Sequence, residues 1–209
     1  MGKTKQGYME LKELIEDLHV KSVSGSMATD IMGIAYDSRQ VSAGALFVAL
    51  HGQRSDGLDF VNQAVEAGAA AVMSEDPPPP DAEVPWVQVK DGRIAMAFAS
   101  STLFGNPSGD LVVAGVTGTN GKTTTAWLTA QALAACGRRA SYSGTLGYGI
   151  PGDLHRTSHT TPDAISVHRQ LAALRDAGTD HVAMEVSSHA LDQGRVSGVR
   201  FHTAVFTNL

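Results

Sequence analysis

Apolar residues first recur at helical spacing: Leu11, Leu14, Ile15 and Leu18 lie three or four apart, which predicts one face of a short helix. Two continuous apolar runs follow, at 31–36 and 45–50. They end at Asp37-Ser38 and His51-Gly52, and so predict buried strands closed by polar turns. Phe60, Val61, Ala64 and Val65 return to helical spacing with Gly68 as the stop, and 69–73 reads as another buried strand. Four prolines at 77–80 lack backbone donors and predict a stiff connector. A strand over 86–89 and a helix over 92–104 then lead to Gly105-Asn106-Pro107, a turn cluster that marks a domain boundary.

Beyond that boundary the alternation is more regular. A strand over 111–114, a helix over 126–136 ended by Gly137, and a strand over 140–143 come first. A helix over 162–177 with Pro162 in its first turn, a strand over 181–186 and an apolar run over 204–206 complete the series. Strands alternating with helices read as βαβ units around a parallel sheet. The expected chain is therefore α/β: a small mixed α/β domain over 1–107, then part of a parallel-sheet domain over 108–209. The sequence stops at a strand end without a closing helix. Functional loops of such sheets lie at the carboxyl ends of strands, so a truncation is expected there.

Composition narrows the classes. With 43% hydrophobic and 18% charged residues, a net charge of -5 and no clustered Lys/Arg stripe, the chain reads as globular and not as a nucleic-acid binder. No apolar run approaches the roughly 20 residues that span a bilayer, and the polar start lacks a leader's apolar segment, so a cytoplasmic location is expected. Gly2 does not suit myristoylation, because Gln6 stands where Ser or Thr is needed. The single cysteine, Cys136, is expected to be a buried thiol near the end of an apolar helix.

The densest chemistry lies in Gly118-Thr119-Asn120-Gly121-Lys122-Thr123-Thr124, a turn between an apolar strand and a helix. Unpaired amides of such a turn, with the helix dipole behind them, can surround phosphate oxygens. Gly118 and Gly121 permit close approach, Lys122 supplies charge for the β and γ phosphates, and the Thr123 hydroxyl suits Mg²⁺. Val116 stands where the usual phosphate loop has its first glycine. ATP and Mg²⁺ are the implied ligands.

His181-Val182-Ala183-Met184-Glu185 delivers one carboxylate at a strand end, so Glu185 is the second candidate for Mg²⁺. After it, 187–195 is rich in polar groups. Ser188 beside His189 lacks the elbow of a hydrolase, and hydroxyl, amide and guanidinium together suit recognition of a carboxylate or phosphate. The eight histidines show no zinc spacing. In the first part, Asp37-Ser38-Arg39 and 52–57 are polar loops that could form a shallow site for a polar ligand.

Taken together, Tyr36-Asp37-Ser38-Arg39, Gly44-Ala45-Leu46-Phe47-Val48-Ala49, Asp56-Gly57, the Gly118 loop, Thr160-Thr161-Pro162-Asp163 and Met184-Glu185-Val186-Ser187-Ser188-His189 resemble the Mur ligases along the whole chain. That family's phosphate loop is a Gly-Thr-x-Gly-Lys-Thr variant, which accommodates Val116. The resemblance implies a nucleotide-sugar domain followed by part of a P-loop ATPase domain. It further implies an ATP-dependent amide ligase of peptidoglycan synthesis, adding the third peptide residue to UDP-MurNAc-L-Ala-D-Glu.

By the same resemblance, Tyr36, Ser38, Gln53, Arg54 and Ser55 contact the UDP part. Thr160, Thr161, Ser187, Gln193 and Arg195 hold the muramoyl-peptide side. Residues 118–124 bind ATP, Lys122 and Glu185 are catalytic, and Thr123 and Glu185 hold Mg²⁺. An amino acid is the second substrate, and a monomer is expected. The family continues past Leu209 into a second metal site and a third domain that selects the amino acid. The alternative is a truncated module that binds the UDP-muramoyl ligand or ATP without turnover.

Overall fold

The structure is a computed structural model that describes residues 8–52, 55–157 and 159–209. The chain divides into two compact units between Leu103 and Phe104, four residues before the expected boundary. The elements of the first, in chain order, are β1 (Met9–Glu10), α1 (Leu11–Leu14), β2 (Val20–Ser24), β3 (Asp30–Ile31), β4 (Gly33–Ala35), β5 (Ala45–Ala49), α2 (Val61–Glu66), β6 (Ala69–Ser74), β7 (Trp86–Val89) and α3 (Gly92–Leu103). Five strands form one sheet in the order β2-β7-β6-β5-β4. All its neighbours are parallel except the β2–β7 pair, and β1 pairs separately with β3.

Every residue of β5 is buried, as an uninterrupted apolar run on a central strand requires. Phe47 and Ala49 pack with Ala64, Val61 and Val65 of α2. Leu46 and Val48 alternate to the other face, where α3 lies against β4 and β5. Fully burying side chains such as Leu46, Phe47 and Val48 contributes about 1.5–3 kcal/mol each.

The second unit holds β8 (Val112–Thr117), α4 (Lys122–Ala135), β9 (Ala140–Gly144), β10 (Gly147–Ile150), β11 (Asp153–His155), α5 (Ala164–Asp176), β12 (His181–Glu185), α6 (Ser188–Asp192) and β13 (Phe201–Phe206). Its six-stranded sheet runs β11-β10-β9-β12-β8-β13. The β9, β12, β8 and β13 strands are parallel, whereas β10 and β11 are antiparallel, so the sheet is mixed where a parallel one is expected. The cause is a glycine-rich hairpin. Gly147 and Gly149 sit at φ 131° and 143°, and a Cβ on either would run into the His155 or Asp153 carbonyl. Such a segment has no apolar period to read.

Each face of this sheet has its own helix. Val182 and Met184 of β12 pack with Val167, Leu171 and Leu174 of α5, while Ala183 alternates to join Val116, Tyr142 and Ala126 and Ala130 of α4. Helix α5 begins at Ala164, later than Pro162, because the Asp163 side chain caps it by accepting from the Ser166 amide. Cys136 is exposed, contrary to expectation. The buried stripe of α4 is confined to Ala126 and Ala130, four apart, whereas Cys136 lies past the last turn as the cap. Apolar composition around a helix does not say which face is covered.

Candidate functional site

Strand β8 ends in the glycine-bearing loop, and α4 starts directly at Lys122 with Gly121 as its cap at φ 82°. Gly118 is held at φ 128°, and a Cβ there would collide with the Thr207 hydroxyl and the Asn208 backbone. Lys122 folds back over the loop, donating from Nζ to the Gly118 and Thr119 carbonyls at 2.7 and 3.1 Å.

The neighbouring strand end braces this loop. Thr207 Oγ1 donates to the Asn120 carbonyl at 2.6 Å, and the Asn208 carboxamide both donates to that carbonyl at 3.2 Å and accepts from the Asn120 amide at 3.1 Å. The Thr119 amide donates to the Asn208 carbonyl at 3.1 Å. Thr207 and Asn208 are site residues that the motif alone does not reveal. The only trace of them is a polar pair placed directly after an apolar strand.

Glu185 ends β12, the strand beside β8, and is 1% exposed. Being two residues after Ala183, it points to the α4 side, where Thr123 Oγ1 donates to its Oε2 at 2.8 Å. The Thr145 amide donates to Oε1 at 2.9 Å, and the Tyr142 hydroxyl donates to the same oxygen. Burial, reinforced by the bond to Glu185, pushes the Tyr142 phenol far up, so it stays a donor. Gly144 makes room, since a Cβ there would strike both Glu185 and the Tyr142 hydroxyl. Tyr142 and Thr145 are further residues that sequence reading misses, because one reads as a core strand residue and the other as a turn residue.

The polar segment after β12 closes around the same strand end. Thr161 is buried, donates to the Glu185 carbonyl at 2.9 Å, and accepts from the Ser187 amide at 3.2 Å. Arg195 donates to the Thr161 carbonyl at 2.9 Å and, through Nε and Nη2, to Gln193 at 3.0 and 2.7 Å. The Ser187 hydroxyl caps α6, and the Thr160 and Thr145 hydroxyls lie 3.0 Å apart. Thr160, Thr161, Ser187, Gln193 and Arg195 are thus brought to one place, within three hydrogen bonds of Glu185.

In the first unit, Tyr36, Ser38 and Ser55 line one groove of about 560 Å³. The Ser38 hydroxyl donates to Gln63 Oε1 at 2.8 Å, and Tyr36 is 44% exposed. Gln53 and Arg54 lie outside the described residues. Among the described residues no group of three His, Cys, Asp or Glu side chains is placed to hold a metal, and no helix is long and apolar enough to cross a membrane.

Two family descriptions match: "Mur ligase middle domain" over residues 116–209 and "Mur ligase family, catalytic domain" over residues 30–102. A UDP-N-acetylmuramoyl-L-alanyl-D-glutamate–2,6-diaminopimelate ligase of Solibacter usitatus is 49% identical over 87% of this chain. The chain belongs to the Mur ligase family. A relative of the same description from Geobacter metallireducens is 42% identical over 96% of the chain. A solved structure of a ligase so described superposes on 97% of the chain with a TM-score of 0.80 at 30% identity. The chain spans 37% and 39% of those two relatives and 40% of that structure. Within the Mur ligase frame, the middle-domain match begins on β8 at Val116 and contains the phosphate-type loop, Glu185 and the polar segment beyond it.

Proposed function

We propose that this chain carries the nucleotide-sugar and ATP sites of a Mur ligase that adds the third peptide residue to UDP-MurNAc-L-Ala-D-Glu. Residues 1–107 hold the UDP part, and residues 108–209 form the amino-terminal part of an ATP-binding domain. The observation that carries the reading is the 2.8 Å bond from Thr123, in the first turn of α4, to the buried carboxylate of Glu185. A hydroxyl and a carboxylate at the mouth of a Gly-Lys-Thr loop form the pair of oxygens expected beside a nucleotide's phosphates.

Those two oxygens fit Mg²⁺, a hard cation that takes its remaining ligands from phosphate and water and needs no larger acidic cage. Bound there, Mg²⁺ would offset negative charge on the phosphates. In the proposed reaction, a substrate carboxylate oxygen attacks the γ phosphorus of ATP and ADP leaves. An incoming amine then attacks the carbonyl of the resulting acyl phosphate, and phosphate departs as the amide forms. Two anions must meet, and Lys122 lowers that repulsion by exchanging two loop carbonyls for phosphate oxygens. Thr161, Ser187, Gln193 and Arg195 hold the carboxylate side, with Arg195 already fixed by Gln193 and the Thr161 carbonyl. The amino acid is the second substrate, and the protein acts as a cytoplasmic monomer.

Calorimetry with UDP-MurNAc-L-Ala-D-Glu and with ATP plus Mg²⁺, followed by product mass with diaminopimelate or lysine, tests the proposal. Binding of both ligands with amide formation places catalysis within these 209 residues. Binding of both without turnover makes them the substrate-holding part of the ligase. A folded chain that binds neither would overturn the reading.

A further inference from the structure

The groove lined by Tyr36, Ser38 and Ser55 carries three charged side chains: Asp37, Arg39 and Arg93. Two of them offset each other. Arg39 donates from Nε and Nη2 to the two Asp37 oxygens at 2.9 and 2.7 Å, a bidentate pair. Arg93, in the first turn of α3, pairs with no carboxylate among the described residues; its Nη2 rests on the His51 carbonyl at a long 3.4 Å. Among the described residues this guanidinium is in no ion pair, and most of its five donors remain for a ligand.

The amides on either side of Arg93 are already engaged: those of Gly92 and Ile94, at the start of α3, donate to Glu75 and Asp91, each at 2.9 Å. His51 is itself held, its Nδ1 lying 3.0 Å from an Asp56 oxygen and its backbone bridged to Asp56, so the carbonyl on which Arg93 rests is kept in place. Tyr36 and Phe60 add partly exposed rings to the same groove, and its volume suits a nucleotide-sized ligand.

We propose that Arg93 receives the pyrophosphate of a nucleoside diphosphate sugar and sets the groove's preference for diphosphates over nucleosides. The assignment rests on the reading of this groove as the UDP site. The planar fork matches two phosphate oxygens at once, which a lysine at the same place could not do.

The test is a calorimetric series on the full chain with uridine, UMP, UDP and UDP-MurNAc-L-Ala-D-Glu, for the unsubstituted protein, Arg93→Gln and Arg93→Lys. Arg93→Gln should weaken UDP and the UDP-sugar at least about tenfold, the scale of one lost charge-assisted hydrogen bond, and leave uridine unchanged. Arg93→Lys should recover only part of the loss. A merely structural role for Arg93 would weaken uridine and UDP alike, and that result overturns the assignment. Arg93→Gln with unaltered UDP affinity overturns it as well, while the groove itself stands if the unsubstituted chain binds. Absence of UDP-sugar binding by the unsubstituted chain removes the groove reading and this assignment together.

Discussion

Thr123 and Glu185 stand 62 residues apart in sequence and share a 2.8 Å hydrogen bond that joins the start of α4 to the end of β12. The strand order makes the meeting possible, because β12 lies immediately beside β8, whose loop leads into α4. A buried carboxylate needs such donors to remain tolerable. Here the Thr145 amide and the Tyr142 hydroxyl supply the others, so the same network that stabilises the fold also orients the oxygens proposed for Mg²⁺.

Thr123 can be tested by conservative substitution, with a melting curve to establish that each variant is folded. Thr123→Ser keeps an oxygen for Glu185 and should retain ATP affinity in the presence of Mg²⁺. Thr123→Val has nearly the same shape but removes that oxygen and should weaken ATP binding in the presence of Mg²⁺ by about 1.5–3 kcal/mol, the scale of one lost contact to a charged partner. Calorimetry with and without Mg²⁺ is the measurement. Equal losses under both conditions would dissociate Thr123 from the metal.

Gly144 should prove intolerant of any side chain. A Cβ there would meet the Glu185 carboxylate and the Tyr142 hydroxyl, neither of which can retreat within a packed sheet, whereas a Cβ on Gly33 meets nothing within 4 Å. Gly144→Ala is expected to cost about 1–3 kcal/mol of stability by overpacking. Gly33→Ala, at the start of β4, should change little. Urea unfolding of the two variants side by side would check the contrast, and similar midpoints would show that the Glu185 pocket can relax.

The parts of this site that the sequence discloses are those in which chemistry and local structure coincide. The Gly118–Lys122 turn sits between a strand and a helix, and Glu185 closes an apolar strand, so each announces itself within a few residues. Tyr142 does not, because a tyrosine in a buried strand is ordinary until the neighbouring strand proves to carry Glu185. Thr207 and Asn208 act through side-chain hydrogen bonds to the backbone of a loop nearly ninety residues earlier, a relation that only the β8–β13 pairing creates. The short strand β2, with its exposed polar Lys21 and Ser22, and the glycine-rich hairpin of β10 and β11 have no apolar period at all. Their pairing partners, not their own residues, make them strands.

His168 gives the second unit a pH dependence. It is fully buried on α5, and because the Ser197 carbonyl 2.9 Å from Nε2 can only accept, Nε2 carries the proton. Among the described residues Nδ1 has no partner, so a second proton would be a buried, unsatisfied donor. Burial accordingly lowers this histidine's pKa below its ordinary 6.5. The unfolded chain takes up the proton first, so stability is complete above pH 6.5 and falls as the pH drops below it. His168→Gln can keep the bond to Ser197 without titrating. Unfolding midpoints measured from about pH 7.5 down to about pH 5 should fall more steeply for the unsubstituted chain than for the variant, and parallel curves would reject the assignment.

Lys122 gives the clearest separation of the two proposed sites. Its ammonium lies on the Gly118 and Thr119 carbonyls in the second unit, while the groove containing Tyr36, Ser38 and Ser55 belongs wholly to the first. Lys122→Ala should thus leave UDP-MurNAc-L-Ala-D-Glu affinity nearly unchanged and remove the charge that offsets the meeting of carboxylate and γ phosphate. In a ligation assay the loss should exceed about 3 kcal/mol of transition-state stabilisation, the scale for one preorganised electrostatic contact. Because the lysine's present partners are carbonyls of its own exposed loop, its removal should cost little stability, and a melting curve can establish that the variant is folded. Near-normal turnover by that folded variant would show that the loop holds something other than the reacting phosphates.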